Sequence, residues 1–201
     1  MTRLMFFDTF DILNCVQPFR ITRPVSSLIW RGIGHTAVIY RHPTTNIPYV
    51  LESTTRNKNG KSGIQLTPLT DWLNETTHEV YLRRAFMLGG YTPFREAREA
   101  AEAWLAKYKD TPYPNLKSRW GRFFLLKATL DFGNPLVKEL FTNPDIDWTM
   151  FCTMAVAHFY RFCGLWNGNP AEMEPDDCRD GGKFEKGLRD DCYLMSEVRI
   201  K

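Results

Sequence analysis

No run in this sequence is apolar for long enough to cross a bilayer, which takes about 20 predominantly apolar residues. An integral membrane segment is therefore not expected. The chain also has no basic stripe: its net charge is +3, with no run of Lys and Arg to concentrate it, so a nucleic-acid partner is not expected either. Its 5 cysteines, Cys15, Cys152, Cys163, Cys178 and Cys192, include no CxxC pair, and an odd, scattered set is no disulfide framework. The apolar patch in "MTRLMFFDTF" is cut by Asp8 and is too short for the core of a signal peptide. These absences lead us to expect reduced thiols and a cytoplasmic location. His158, Cys163, Cys178 and Cys192 are conceivable zinc ligands, but their spacing follows no common zinc pattern, and no metal or organic cofactor is expected. Internal repeats and a Gly- or Pro-rich linker are missing too. The 201 residues are read as one domain, 1–201.

What the chain does have is apolar bulk. Aromatics make up 14% of it, including 6 Trp and 14 Phe, enough for a large core or for a groove that takes an apolar ligand. "FDILNCV" (10–16) reads as a first strand, and 17–34 as a connection with a helical turn at "SSLIW". "HTAVIYR" (35–41) and "IPYVLES" (47–53), joined by "HPTTN", read as a hairpin. A polar loop (54–63) follows, then a strand "HEVYLRRA" (78–85). "TPFREAREAAEAWLAKYK" (92–109) is a helix with Thr92 as N-cap and Pro93 at N1; Phe94, Ala97, Ala101, Trp104, Leu105 and Tyr108 form its apolar stripe. Residues 118–141 read as helical with a break at "FGNP", 167–191 as a loop, and "CYLMSEVRI" (192–200) as a closing strand. Strands, then helices, then a strand suggest an α+β fold with an antiparallel sheet.

The segment "DWTMFCTMAVAHFYRFCGL" (147–165) carries the chemistry. Ala155, Val156, Phe159, Tyr160 and Cys163 repeat from Cys152 at helical spacing, so Cys152 lies on the inward face of a helix. It also lies near that helix's start, with Asp147 or Thr149 as cap, where partial positive charge and free N–H groups favour a thiolate and can hold an oxyanion. Alone, Cys152 reads first as a small core residue, because free cysteine is among the most buried side chains. Cys163, three turns deeper, reads as core. Among the histidines, His158 points about 120° away from Cys152 and reads as surface or packing. His42 sits in the hairpin turn, and His78 has no evident partner. If Arg41 pairs with Asn46, His35 stands directly opposite Glu52 with both side chains on one face. The two are then either an ordinary cross-strand polar pair or an imidazole oriented by a carboxylate. A cysteine at a helix start, a histidine on a strand and a carboxylate on the next strand make up the arrangement used by thiol hydrolases.

"FDILNCV", "SSLIWRGIGHTAVIYR", "YVLEST", "GIQLTPLTDWL" and "FCTMAVAHFYRFCGLW" together resemble the circularly permuted NlpC-type papain-like proteins, in particular the YiiX/YaeF-like group. The resemblance runs over roughly residues 8 to 166. Its chain order is histidine, glutamate, cysteine, and it implies Cys152 as nucleophile, His35 as base and Glu52 as orienting group. It also suggests Tyr113 as a tyrosine that contacts the oxyanion or substrate. The chain departs from the family pattern at Phe10, where a glycine is usual before Asp11, and at "CTMAV", where "CSELV" is usual. The implied fold is an antiparallel sheet or small barrel packed against helices. The implied activity is cleavage of a peptide or N-acyl amide through a thioester. Two alternatives stand beside it: acyl transfer or hydrolysis on acyl lipids, with Trp120, Phe123, Phe124, Leu125, Leu126 and Leu130 lining a groove, and an inactive binding module.

Overall fold

The structure, a computed structural model, describes residues 7–16, 33–54, 62–88, 91–113, 152–173 and 175–201. β1 (Ile12–Val16), β2 (Ile33–Arg41), β3 (Pro48–Thr54), β4 (Gly63–Pro68), β5 (Glu79–Arg83) and β8 (Val198–Arg199) form one antiparallel sheet in the order β4-β3-β2-β1-β5-β8. β6 (Ala85–Met87) and β7 (Cys192–Leu194) form a two-stranded ribbon beside it. The helices are α1 (Leu69–Glu75), α2 (Tyr91–Tyr108), α3 (Cys152–Phe162) and α4 (Lys183–Lys186), with short 3-10 turns at Pro170–Glu172 and Pro175–Cys178. This is the expected α+β class with an antiparallel sheet.

Strand alternation sends side chains to two separate layers. Ile12, Val38, Tyr40, Leu51 and Ile64 pack under α2 and α3, against Trp104, Val156, Phe159 and Tyr160. Leu13, Cys15, Ala37, Ile39, Val50, Val80 and Leu82 face the other way and pack on Leu69 and Trp72 of α1. Arg83, with no exposed surface, ties the C-terminal segment to the sheet by donating to the carbonyls of Cys178, Arg179 and Met195 and to Glu185.

Several boundaries differ from the sequence reading. The strand expected over 78–85 is two, because the chain leaves the main sheet after Arg83 and enters the ribbon at Ala85. The strand expected over 192–200 divides in the same way into β7 and β8. The expected loop at 167–191 holds the two 3-10 turns and α4. β4 and α1 lie in a stretch for which the sequence reading assigned no elements. α2 begins one residue before the expected cap, at Tyr91. The helical turn at "SSLIW", the helix at 118–141 with its aromatic run, most of loop 54–63, and Asp147 and Thr149 lie outside the described residues.

Phe10 shows what happens where a glycine is missing. Its φ is 80°, in the left-handed region, yet its ring is fully buried against Phe94, Phe159 and Tyr160. The Tyr160 hydroxyl donates to its carbonyl. The backbone follows a conformation natural to glycine, while the side chain fills the core. Phe10→Ala is expected to cost about 3–5 kcal/mol through the cavity it leaves. Phe10→Gly is expected to cost roughly 1 kcal/mol less than Phe10→Ala, despite removing one more carbon, because it relieves the positive φ. Urea unfolding of the two variants checks this; coincident midpoints would mean that φ carries no strain.

Candidate functional site

β2 is paired to β1 from Ile33 to Val38, but to β3 only from Val38↔Leu51 to Arg41↔Pro48. Beyond Leu51, β3 stays with β4, through Glu52↔Gln65, Ser53↔Ile64 and Thr54↔Gly63. The two strands therefore part at residues 35–37 of β2. Which backbone groups this exposes follows from the ladder. Ile39 N–H donates to Asp11 O and Ile39 O accepts from Phe10, so odd-numbered β2 residues direct their backbone at β1. The even-numbered Thr36 directs its amide at the side where β3 has left. Cys152, the first residue of α3, takes that place: its sulfur accepts a hydrogen bond from the Thr36 N–H.

The parting also solves a problem of faces. α3 lies on one side of the sheet, whereas His35 and Glu52, by alternation with Ala37 and Val50, belong to the other. Cys152 nevertheless hydrogen-bonds the His35 ring, through the gap. His35 Nε2 is 2.7 Å from Glu52 Oε2, which leaves Nδ1 for the thiol. Trp72 Nε1–H donates to the same Glu52 oxygen at 3.1 Å. Thr153 Oγ1 lies 3.7 Å from the Cys152 sulfur. Glu52 is 8% exposed and the His35 side chain 20%, so solvent reaches the site from the histidine side.

The register differs from the expected one. Arg41 pairs with Pro48, not Asn46, so the hairpin is offset by two residues and Glu52 is not directly opposite His35. An offset of two preserves the face, whereas an offset of one would have separated the pair. His35 and Glu52 meet as diagonal neighbours, within reach of long side chains.

Electrostatics follow from this arrangement. Burial pushes the Cys152 thiol up, but the His35 hydrogen bond and charge, with the Thr36 amide and Thr153 hydroxyl, bring it down to about 7. Burial pushes His35 down, and the bonds and charges of Cys152 and Glu52 more than reverse this, raising it to about 10. Burial works against the Glu52 carboxylate as well, yet His35 and the Trp72 N–H hold it below its ordinary value. A thiolate–imidazolium pair thus spans roughly neutral to alkaline pH.

Tyr113 is within reach of the Cys152 charge, and burial, then that charge, raises its hydroxyl above the ordinary value. Its segment is fastened to β4: Ile64 N–H donates to Thr111 O at 2.7 Å, and Asp110 N–H donates to Ile64 O at 3.1 Å. Gly63, at φ 109°, permits this approach; a Cβ there would stand 2.1 Å from Thr111 O. His158 is a packing residue, accepting from Trp104 Nε1 and lying edge-on to Tyr108. His78 does have partners: its Nδ1 lies 3.2 Å from Thr76 Oγ1, and burial, then the His35 cation, lowers its pKa. Sequence reasoning missed Trp72, the Thr36 amide and the approach of His78 to His35. "GIQLTPLTDWL" displays a tryptophan but no period that aims it at Glu52.

A scan against known protein families and a search of curated proteins find no match. Among solved structures, the chain is similar to metalloprotein yiiX from Escherichia coli O157:H7, with a TM-score of 0.51 at 15% identity over 96% of this chain and 98% of that one. At this identity the likeness shows a shared fold. Because that protein is described as a metalloprotein, the donor set here matters. Among the described residues no three His, Cys, Asp or Glu side chains form a group that can hold a metal ion, so the zinc set from Cys163, Cys178, Cys192 and His158 is not assembled. At the thiol site the imidazole is already engaged by Glu52 and Cys152. The described residues do not fit a metal. No helix of the described residues is long and apolar enough to cross a membrane.

The two titrations set a window. Thiolate forms as pH rises through about 7, and the imidazolium is lost as pH rises through about 10. The raised His35 pKa stabilises the fold below its ordinary value of 6.5, and that contribution fades as pH climbs through about 10. The lowered Cys152 pKa stabilises it above the ordinary 9.0, and that contribution fades as pH falls through about 7. Iodoacetamide is expected to alkylate Cys152 with a half-maximal rate near pH 7. His35→Ala should slow alkylation at pH 7.5 by about tenfold or more, because only the Thr36 amide and the Thr153 hydroxyl then oppose burial of the thiol. An unchanged rate in His35→Ala, read by peptide mass spectrometry, would remove the basis for an activated thiol.

Proposed function

We propose that this protein is a cysteine hydrolase of papain-like type that cleaves an amide bond, in a peptide or an N-acyl amine, through a thioester on Cys152. The observation that carries the reading is the hydrogen-bonded chain from Cys152 through His35 to Glu52, in which both the thiol and the imidazole are shifted toward their charged forms. A structural cysteine needs neither shift. A site poised to attack a carbonyl needs both.

In the proposed reaction the Cys152 thiolate attacks the carbonyl carbon, a C–S bond forms, and the carbonyl electrons move to oxygen. Free N–H groups at the start of α3 and the Tyr113 hydroxyl, which stays protonated because its pKa is raised, are the donors for that oxyanion. His35 gives its proton to the amine nitrogen, the C–N bond breaks, and the amine departs. Water then loses a proton to His35 as its oxygen bonds to the acyl carbon. The C–S bond breaks, the acid leaves, and the thiolate is restored. Glu52 remains charged throughout and holds the ring in orientation.

The acyl-lipid alternative rested on the aromatic run at 120–130, which lies outside the described residues; nothing at the described site favours it over an amide. The binding-module alternative predicts no covalent chemistry. Intact-mass spectrometry after incubation with cell extract, and with a panel of peptides and N-acyl amines, tests both. A mass increase that maps to Cys152, is absent in Cys152→Ala and is released by hydroxylamine is expected. His35→Ala should form the adduct about 10²–10⁴-fold more slowly. No adduct and no amine release from any amide, with turnover of lipid esters instead, would replace this reading with the lipid one.

A further inference from the structure

We propose that Trp72 is a positioning residue of the thiol site: its indole N–H fixes the one Glu52 oxygen that faces His35 and keeps the shared proton on the imidazole. This rests on the hydrolase reading above and adds a fourth member to the chain, one that touches neither the thiol nor a substrate.

Both donors meet at one atom. His35 Nε2 lies 2.7 Å from Glu52 Oε2, and Trp72 Nε1 lies 3.1 Å from that same oxygen. Indole N–H is a donor only. If the His35 proton crossed to Oε2, that oxygen would become a hydroxyl turned toward two groups, of which only the imidazole can accept. The indole would then face a neutral oxygen, with a weaker bond and no way to reverse it. Trp72 therefore opposes the neutral carboxyl–imidazole state and favours carboxylate–imidazolium, the state that holds the thiolate.

The tryptophan is itself rigidly mounted. It is 7% exposed, on the buried face of α1 with Leu69. α1 follows β4 directly, and β4 is paired to β3 through Glu52↔Gln65, so the indole and the carboxylate belong to adjoining pieces of chain. At the other end of α1, Lys201 Nζ donates to the carbonyls of Leu73 and Thr76, and Thr76 N–H donates to Trp72 O. The remaining titratable groups around the chain are Cys15 on β1, facing Glu52 and Cys152; His78 before β5, facing His35; and Tyr113 and Cys178, facing Cys152. Burial raises Cys15, Tyr113 and Cys178 and lowers His78, each away from its charged form, so none is shifted toward a cation that could substitute for the lost N–H.

The test is the pH dependence of Cys152 alkylation by iodoacetamide in wild type, Trp72→Phe, Glu52→Gln and the double variant, beside thermal unfolding of each. Phenylalanine keeps an aromatic ring and removes the donor. In Trp72→Phe the half-maximal pH is expected to rise by about one unit, a tenfold change in the thiol–thiolate equilibrium, while the plateau rate at high pH is unchanged. In the Glu52→Gln background Trp72→Phe should move the midpoint no further. A Trp72→Phe midpoint equal to wild type, in a folded protein, overturns the inference. So does an equal additional shift in the Glu52→Gln background, which would mean that the indole acts through packing. A wild-type thiol that titrates near the ordinary 9.0 fails the hydrolase reading instead, so the two failures are distinguishable. Should Trp72→Phe not fold, 7-aza- or fluoro-tryptophan incorporation, which changes the acidity of the indole N–H and little of its shape, reads the same midpoint.

Discussion

β2 is paired to β1 from Ile33 to Val38 but to β3 only from Val38 to Arg41, and the environment of Cys152 depends on that difference. A backbone amide released from a sheet has to find another acceptor when buried, because leaving it unpaired costs about 1–3 kcal/mol. Thr36 has no exposed surface, and its N–H points at the vacated side. The Cys152 sulfur is the acceptor, and a sulfur satisfies an amide far better as thiolate than as thiol. The parting of two strands is thus coupled to the charge state of a side chain on a helix distant in sequence. It also brings together residues from opposite faces of the sheet, which intact pairing would keep apart.

Once the thiolate is favoured, the remaining groups follow from the cost of burying charge. A lone buried anion is strongly unfavourable, and a pair is tolerated only when its other valences are met. Here the thiolate is offset by the His35 imidazolium, the imidazolium by the Glu52 carboxylate, and the carboxylate by the Trp72 N–H. Each member has a neighbour on either side, and the chain ends on a neutral donor. The net buried charge is one negative unit. Removing His35 leaves two charged neighbours uncompensated and removing Glu52 leaves one, whereas removing the indole weakens only one bond.

How much of this the sequence disclosed can be judged residue by residue. The hairpin was legible from "HTAVIYR" and "IPYVLES", since β-branched residues flank turn chemistry. His35 and Glu52 were placed on one face although the register was offset by two, because a period of two cannot distinguish such offsets. The expected caps of α3, Asp147 and Thr149, lie outside the described residues, but the helix itself and the burial of Cys152 were legible from helical spacing. The parting of β2 from β3 was not. It is a property of three strands and a helix competing for the same edge, and nothing in the residues involved, Thr36, Ala37 and Ser53, marks where the two strands separate. β4 and α1 were missed for a related reason. "GIQLTPLTDWL" mixes a short alternating run with a helix of two turns, and each is below the length at which its period stands out. Conversely, "HEVYLRRA" and "CYLMSEVRI" look continuous because nothing in their composition marks where a strand changes sheets.

The comparison among the five cysteines separates position from environment. Cys15 is directly opposite His35 in the β1–β2 ladder and shares its face, so by register alone it is the thiol nearest the imidazole. Yet burial pushes it up, and the Glu52 and Cys152 charges push it further. Cys163, on the same helix face as Cys152, is raised by burial alone. Cys178 is driven up by burial and then by the Cys152 charge, and Cys192 is pushed up to about 11. All five are buried, so exclusion from water does not make a thiolate here and in four cases prevents one. What sets Cys152 apart is that each polar group bonded to it, the His35 ring, the Thr36 amide and the Thr153 hydroxyl, can donate a hydrogen. Cys15, across the ladder from the same histidine, faces two anions instead. A single imidazole cannot activate both sulfurs: once one is a thiolate, its charge holds the other in the neutral form.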